Sequence, residues 1–319
     1  MPAASWPPPA RRSPTERVRL TAGLALCAVL AAGAPVPASE SPGRSLRVVT
    51  FNMFHGGASS GLTGNAARLD TRLDLAVREL RGLDADIVAL QEASAGQGRG
   101  DVVARLAAGL GLHHVHAPAT SRVFTLGALN RFVVWLLGFA EGPAILSRFP
   151  IAGWEVHDLP RCERALDPRV LLRVTVTTPW GELDVYSTHT NRDACQHRRV
   201  AELVVARRGT LPAVVMGDFN AVEGGAAMAV LADAGLVDAF RVANPAGTGS
   251  TVWQRIQAAE PTVFRRVDYV LVLPGTAMDV RVRASRVVLN TPGRLANGGV
   301  LWPSDHYGVL ADVELVERR

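Results

Sequence analysis

VVMGDFNAVEG, residues 214–224, runs an apolar stretch, Val214-Val215-Met216, through Gly217 into Asp218, Phe219 and Asn220. A short apolar run bounded by glycine reads as a buried strand. A carboxylate and an amide two positions apart at its end admit two readings. One is turn chemistry, since Asp and Asn are favoured where a strand gives way to a loop. The other is a polar pocket that the strand exists to hold.

The same pattern recurs along the chain. LRVVTFN ends in Asn52, DIVALQE in Glu92, and LDVYSTHTN delivers His189 and Asn191. RRVDYVLV carries Asp268 between Val267 and Tyr269, and WPSDHYGVL opens with Asp305 and His306. One polar strand end is a turn, but six are predicted to meet in one pocket at a sheet edge, where α/β folds commonly bind ligands. The set combines carboxylate and amide oxygens with two histidines, and no Cys/His spacing of the structural-zinc kind occurs. Such a donor set suits a hard cation: Mg²⁺, with Mn²⁺ or Ca²⁺ as alternatives.

Around these ends, strands are predicted over 46–53, 86–92, 143–151, 169–190 (a hairpin turning near Pro179-Trp180-Gly181), 214–220, 266–274, 278–289 and 306–315. Helices are predicted over 67–80, 101–111, 196–208 and near 225–234. In the first, Leu69, Leu73, Ala76, Val77 and Leu80 form one apolar stripe. Strands outnumber helices and hairpins mix with crossovers, which predicts a mixed sheet or two stacked sheets covered by helices.

The bulk numbers set limits. The chain has 319 residues, 48% hydrophobic and 20% charged, with a net charge of +5. All basic residues are Arg, and residues 1–38 hold four of them against one Glu, so the remainder is close to neutral. Global charge therefore gives no strong argument for a polyanion partner. Residues 1–38 read as a cleaved export signal. Basic residues precede the apolar run LTAGLALCAVLAAGAPV (20–36), and Val36-Pro37-Ala38 fits a small-x-small cleavage pattern. A retained membrane anchor over 20–38 is the alternative. Secretion or a periplasmic location follows from the first reading, and an oxidising compartment favours pairing Cys162 with Cys195.

TFNM, ALQEA, GPAILSR, STHTN, GDFNA, VDYVL and SDHYGVL occur in one order, and the chain thereby resembles the endonuclease/exonuclease/phosphatase superfamily, in its deoxyribonuclease- and sphingomyelinase-like branch. The resemblance spans about residues 46–315 and implies one catalytic domain over 45–317. The implied fold is α/β, a four-layer α/β/β/α sandwich with two stacked mixed β-sheets. It implies metal-dependent hydrolysis of phosphate esters. Glu92 resembles the principal metal ligand, with Asn52 and Asp305 beside it. Asp218 resembles the residue that orients or deprotonates water, and Asn220 the one that holds phosphate or that water. His306, backed by Asp268, resembles a phosphate-contacting histidine, and His189 the second histidine of this branch. Glu141 occupies the place of a carboxylate paired to that histidine; a surface Glu is the alternative. Arg148 and Arg169 are either phosphate contacts or structural.

The family fixes the reaction better than the substrate. The expected partner is a phosphodiester, nucleic acid somewhat favoured and a phospholipid headgroup the alternative, handled by a monomer. RVFTLGALNRFVVWLLGFAEG (122–142) bears on the choice. It is strongly apolar yet too short and broken to span a bilayer. Either it packs on the core as an extra helix, or it makes a peripheral membrane contact beside the site.

Overall fold

The computed structural model describes residues 44–55, 67–96, 100–122, 124, 127–162 and 166–318. The leader expected over 1–38, with its anchor alternative, lies outside them.

Strand β1 (Ser45–Asn52) sets the pattern of the molecule. Its side chains alternate between two cores: Leu46 and Val48 face one, Val49 and Phe51 the other. Strands covered on both sides lose their polar positions, which is why this stretch is almost continuously apolar. Six further strands follow it: β2 (Ile87–Gly96), β3 (His113–His116), β4 (Phe139–Ser147), β5 (Ile151–Asp158), β6 (Val170–Thr178) and β7 (Gly181–His189). Then come β8 (Ala213–Asp218), β9 (Asp268–Leu273), β10 (Met278–Val288) and β11 (Gly308–Glu317). One sheet runs β10-β11-β1-β2-β4-β3, the other β9-β8-β7-β6-β5, each extended by a two-residue strand.

The two sheets stack through a core that includes Val48, Ala89, Ile145, Leu172, Val174, Val185, Met216 and Val270. Burying each large aliphatic side chain contributes about 1.5–3 kcal/mol. Helices α1 (Leu69–Leu83) and α2 (Val102–Leu110) cover the outer face of the first sheet. As the spacing predicts, α1 lays Leu69, Leu73, Ala76 and Leu80 on it. The Asp101 side chain caps α2 by accepting from the Ala104 N–H at 2.9 Å, and Gly111 ends it at φ 70°. Helix α3 spans Gly127–Leu137. Helices α4 (Ala194–Ala206) and α5 (Ala226–Asp233) cover the second sheet over Leu171, Tyr186, Val215 and Leu271, and the short α6 (Ala239–Ala243) follows. The layers are α/β/β/α.

Topology explains why the polar strand ends converge. β1 and β2 are parallel, as are β7 and β8, so Asn52, His189 and Asp218 lie at matching C-terminal ends, and Glu92, at the bulge of β2, follows the residue paired with Asn52. β9 and β11 run antiparallel to β8 and β1 and therefore begin at that edge, placing Asp268 and the preceding Asp305-His306 beside the others. Two strands, β3 and β5, lie outside the expected set. Both are edge strands whose mixed residues, HHVH and IAGWEVHD, lack an apolar run. Cys162 and Cys195 form a disulfide, Cα–Cα 6.6 Å, tying the segment after β5 to the start of α4.

Candidate active site

In the second sheet, register aligns three site residues in one row. Asp218 pairs with His189 of the parallel β7 on one side and with Asp268 of the antiparallel β9 on the other. Adjacent strands lie about 4.8 Å apart, so the three side chains must interact. His189 Nε2 lies 3.3 Å from Asp218 Oδ2, and His306 Nε2 lies 3.8 Å from the same oxygen. His306 Nδ1 is 2.9 Å from Asp268 Oδ2.

The first sheet supplies the facing oxygens. The Asn52 amide donates to Asp218 Oδ2 at 3.0 Å and to Glu92 Oε1 at 3.2 Å, joining the two halves of the site. Glu92 sits on a bulge of β2, between Leu90 and Ala93, with φ 52°. That left-handed conformation is costly for Glu and turns its carboxylate into the pocket. Asn220 also takes a positive φ, 50°, which Asn tolerates, and its N–H donates to Asp218 Oδ1 at 2.8 Å. Its side-chain amide donates to the Thr190 carbonyl and to His189 Nε2, both at 2.9 Å. With Nε2 accepting, the His189 proton is assigned to Nδ1.

Charge follows from burial and neighbours. Burial, abetted by Arg169, holds the His189 imidazole well below its usual range, so it is neutral. Burial opposes the His306 cation, but Asp268 and Asp218 outweigh it and raise that imidazole to about 10. Burial, then Asp268, lifts the Asp218 carboxyl to about 7 against the pull of His306. Burial also raises Asp305, with Glu92 adding to it, to about 6. For Glu92 the burial effect is upward, but the His55 hydrogen bond and the surrounding histidines overturn it and hold the carboxyl below its usual range.

Glu141 departs from the expected pairing. The described residues give His189 Nδ1 no hydrogen-bond partner, so no His189–Glu141 bond forms. The Glu141 backbone sits on β4 opposite Ser94, and burial and then Glu92 push its carboxyl up. Arg148 is bound to Asp84 and Asp86 and is structural. Arg169 pairs with Asp167 at 3.0 Å yet lies near enough to act electrostatically on His189. Asn191 serves the loop, its Oδ1 accepting from the Asp193 N–H at 2.9 Å.

Three contributors escape the sequence reading. His55 Nδ1 lies 2.5 Å from Glu92 Oε2, and the His55 N–H donates to that oxygen at 3.2 Å. It stands three residues past Asn52, in TFNMFH, already outside the strand. Buried Arg72 of α1 donates to the carbonyls of Met53 (2.7 Å), Phe54 (2.7 Å) and Pro303 (3.1 Å), clamping the loops that carry Asn52 and Asp305. Its signal was an arginine within the apolar face of α1. Ser304 Oγ donates to the Asn52 carbonyl at 2.7 Å.

Solved structures share this fold. An endonuclease/exonuclease/phosphatase from Beutenbergia cavernae is 26% identical, with 86% of this chain and 72% of that one covered at a TM-score of 0.56. A mannosyl-6-phosphatase from Bacteroides thetaiotaomicron is 18% identical, covering 85% of this chain and 99% of that one at a TM-score of 0.62. A beta toxin from Staphylococcus aureus is 17% identical, covering 83% and 99% at a TM-score of 0.62. No curated protein sequence matches the chain. The sequence model of the Endonuclease/Exonuclease/phosphatase family matches residues 49–306, and this chain, a phosphoesterase by its fold and site, belongs to that family.

Proposed function

We propose that the protein is an exported phosphodiesterase, acting as a monomer, that uses a divalent metal ion, Mg²⁺ by preference with Mn²⁺ or Ca²⁺ as alternatives. The observation that carries the reading is the Asn52 amide, bonded at once to Glu92 and to Asp218. It sets a water-activating carboxylate against a cluster of hard oxygens.

The residues fit a divalent ion. Glu92, Asp305 and the Asn52 amide oxygen are hard donors, and the Glu92 charge adds to the cost of ionising Asp305. The donor atoms of Asp218, Asp268 and His306 also lie within 4.8 Å of one another. There, however, His306 Nδ1 is already engaged by Asp268, which suits that trio better to holding a proton and a phosphate. Glu92, Asn52 and Asp305 would hold the ion, which supplies charge neutralisation at the phosphoryl and leaving oxygens.

The chain's own residues do the rest. Asp218, with a carboxyl poised near neutrality, accepts a proton from water as the water oxygen bonds phosphorus. The neighbouring imidazolium of His306 faces the charge that develops on the phosphoryl oxygens. Asn220 fixes Asp218 through its N–H and His189 through its amide. The P–O ester bond then breaks, with net transfer of the water proton to the leaving oxygen.

Two features support export: the leader pattern of residues 1–38, and the Cys162–Cys195 bridge, a bond that persists in oxidising compartments. A second reading, nucleic acid as substrate, rests on one surface feature. The Arg265 guanidinium lies 4.4 Å over the Trp253 ring and 5.0 Å from that of Phe264, and both rings are exposed. Trp253 follows Val252, whose backbone bridges to His306. Stacked aromatic and Arg planes are what unpaired bases bind.

The test is hydrolysis of bis(p-nitrophenyl) phosphate and nicking of supercoiled plasmid in Mg²⁺, with EDTA and His189→Ala in parallel. Hydrolysis lost in EDTA and in the variant is expected. Turnover indifferent to EDTA would sink the reading.

A further inference from the structure

Helix α3 (Gly127–Leu137) is held unlike the other helices of the fold. Asn130 is its one buried residue, and the anchor is polar: the Asn130 side chain accepts from the Phe124 N–H at 2.7 Å and donates to the Phe124 carbonyl at 2.6 Å. Its apolar residues face outward. Leu129 is 40% exposed, Phe132 53%, Trp135 68% and Leu136 49%. A surface helix normally turns such residues toward the core.

Beneath α3 lies a cavity of about 450 Å³, lined by Pro118, Val134, Trp135, Phe139 and Ala140, with Arg131 among its few polar residues. This size accommodates a substantial ligand. Its wall adjoins the active site directly. The Phe139 ring centroid lies 5.2 Å from that of His55, and His55 is bonded to Glu92. A molecule bound here is separated from the proposed metal-binding carboxylate by the Phe139 and His55 rings alone.

We propose that α3 lies in the plane of a lipid bilayer interface, and that the cavity beneath it takes one acyl chain of a phospholipid whose phosphodiester is the substrate of the site. The inference rests on the hydrolytic reading above and names its substrate class. Three observations select a lipid over nucleic acid at this surface. The exposed side chains are aliphatic and aromatic, as in helices that dip into headgroups. Residues 123–140 hold no acidic side chain and one charge, Arg131, so nothing on the segment repels an anionic headgroup. A polyanion would call for a stripe of basic residues, whereas α3 carries a single arginine. The bond broken is a P–O ester of the phospholipid, its two products being a phosphate monoester and an alcohol, one of which keeps the acyl chains.

The purified protein is tested on vesicles of phosphatidylcholine and phosphatidylglycerol, by co-sedimentation and by release of lipid products. Soluble bis(p-nitrophenyl) phosphate is the parallel substrate. The variant Phe132→Ser/Leu136→Ser changes two exposed residues outside the cavity and the catalytic set. It is expected to weaken vesicle binding about a hundredfold, to slow lipid hydrolysis in proportion, and to leave turnover of the soluble diester unchanged. Val134→Trp, which fills the cavity, is expected to lower hydrolysis of long-chain lipids relative to short-chain ones. Equal vesicle binding by the surface variant and the parent overturns the inference. So does a parent protein that hydrolyses the soluble diester and nicks DNA but ignores vesicles. A folded parent inactive on the soluble diester, with Mg²⁺ present, overturns the hydrolytic reading itself.

Discussion

His306 Nδ1 lies 2.9 Å from Asp268 Oδ2, and both residues are buried. The pair holds His306 as a cation across neutral pH. Because the folded imidazole is raised from 6.5 to about 10, its contribution to stability is fully present below about 6.5 and is lost as pH climbs through about 10. Asp268→Asn removes the counter-charge and the orienting acceptor. It is expected to lower kcat about 10²- to 10⁴-fold and to bring the His306 titration down toward neutrality, measured by steady-state kinetics and by NMR of the imidazole.

Asp218 must be ionised to accept a proton, and its carboxyl sits at about 7. Activity is therefore expected to rise with pH along a limb whose midpoint is at or below about pH 7, since a bound cation draws the carboxyl down. Asp218→Asn should abolish that limb along with at least about 10² of the rate. A pH–rate profile on the soluble diester checks both.

Glu92 anchors the cation-binding end of the site. Mg²⁺ at about a hundredfold excess over its Kd is expected to stabilise the protein by about 2.7 kcal/mol, read as a rise in Tm. Glu92→Gln should erase that rise without unfolding the protein. An unchanged Mg²⁺ shift in the variant would move the ion to other ligands.

Glu223 accepts from Arg241 and also lies 2.7 Å from Arg266, and these partners lower its carboxyl from 4.5 to about 2. A depressed folded value means stability present above about 4.5 and lost as pH falls toward 2. Urea midpoints measured between pH 5 and 3 should fall more steeply for the parent than for Glu223→Gln. Parallel slopes would remove Glu223 from the account.

The Cys162–Cys195 bridge closes a separation of 33 residues. A loop of that length contributes about 3–4 kcal/mol through the unfolded chain. Cys162→Ser/Cys195→Ser is expected to lose that much in urea denaturation, while reduction of the parent reproduces the loss.

The layers were legible because both sheets are covered on both faces. β1 and β8 are apolar runs for that reason, and each apolar run ends at a polar residue the topology needs at one edge. The edge strands β3 and β5 were illegible on the same grounds, having one covered side or none to advertise. Asn52, Asp218, Asp268, Asp305 and His306 could be placed together because each ends or opens a strand, and Glu92 because it closes the apolar run of β2 at its bulge. His55 and Arg72 could not, since one lies in a loop and the other stands in a helix whose spacing speaks only of burial. The stripe of α1 contained the clue, an arginine where a leucine would pack, yet nothing in the spacing names carbonyls as its partners. Glu141 shows the reverse limit: the resemblance paired it with His189, whereas it lies on β4 opposite Ser94 and His189 Nδ1 has no hydrogen-bond partner among the described residues.

The backbone at Glu92 carries a lesson about what shapes such a chain. A glycine there would relax the left-handed turn of the bulge and leave a more robust molecule with no reaction to perform. Thermal robustness and chemistry thus pull this position in opposite directions. A screen that rewards only heat tolerance should drift toward glycine at residue 92, whereas one that rewards turnover should hold glutamate and seek its gains elsewhere in the fold.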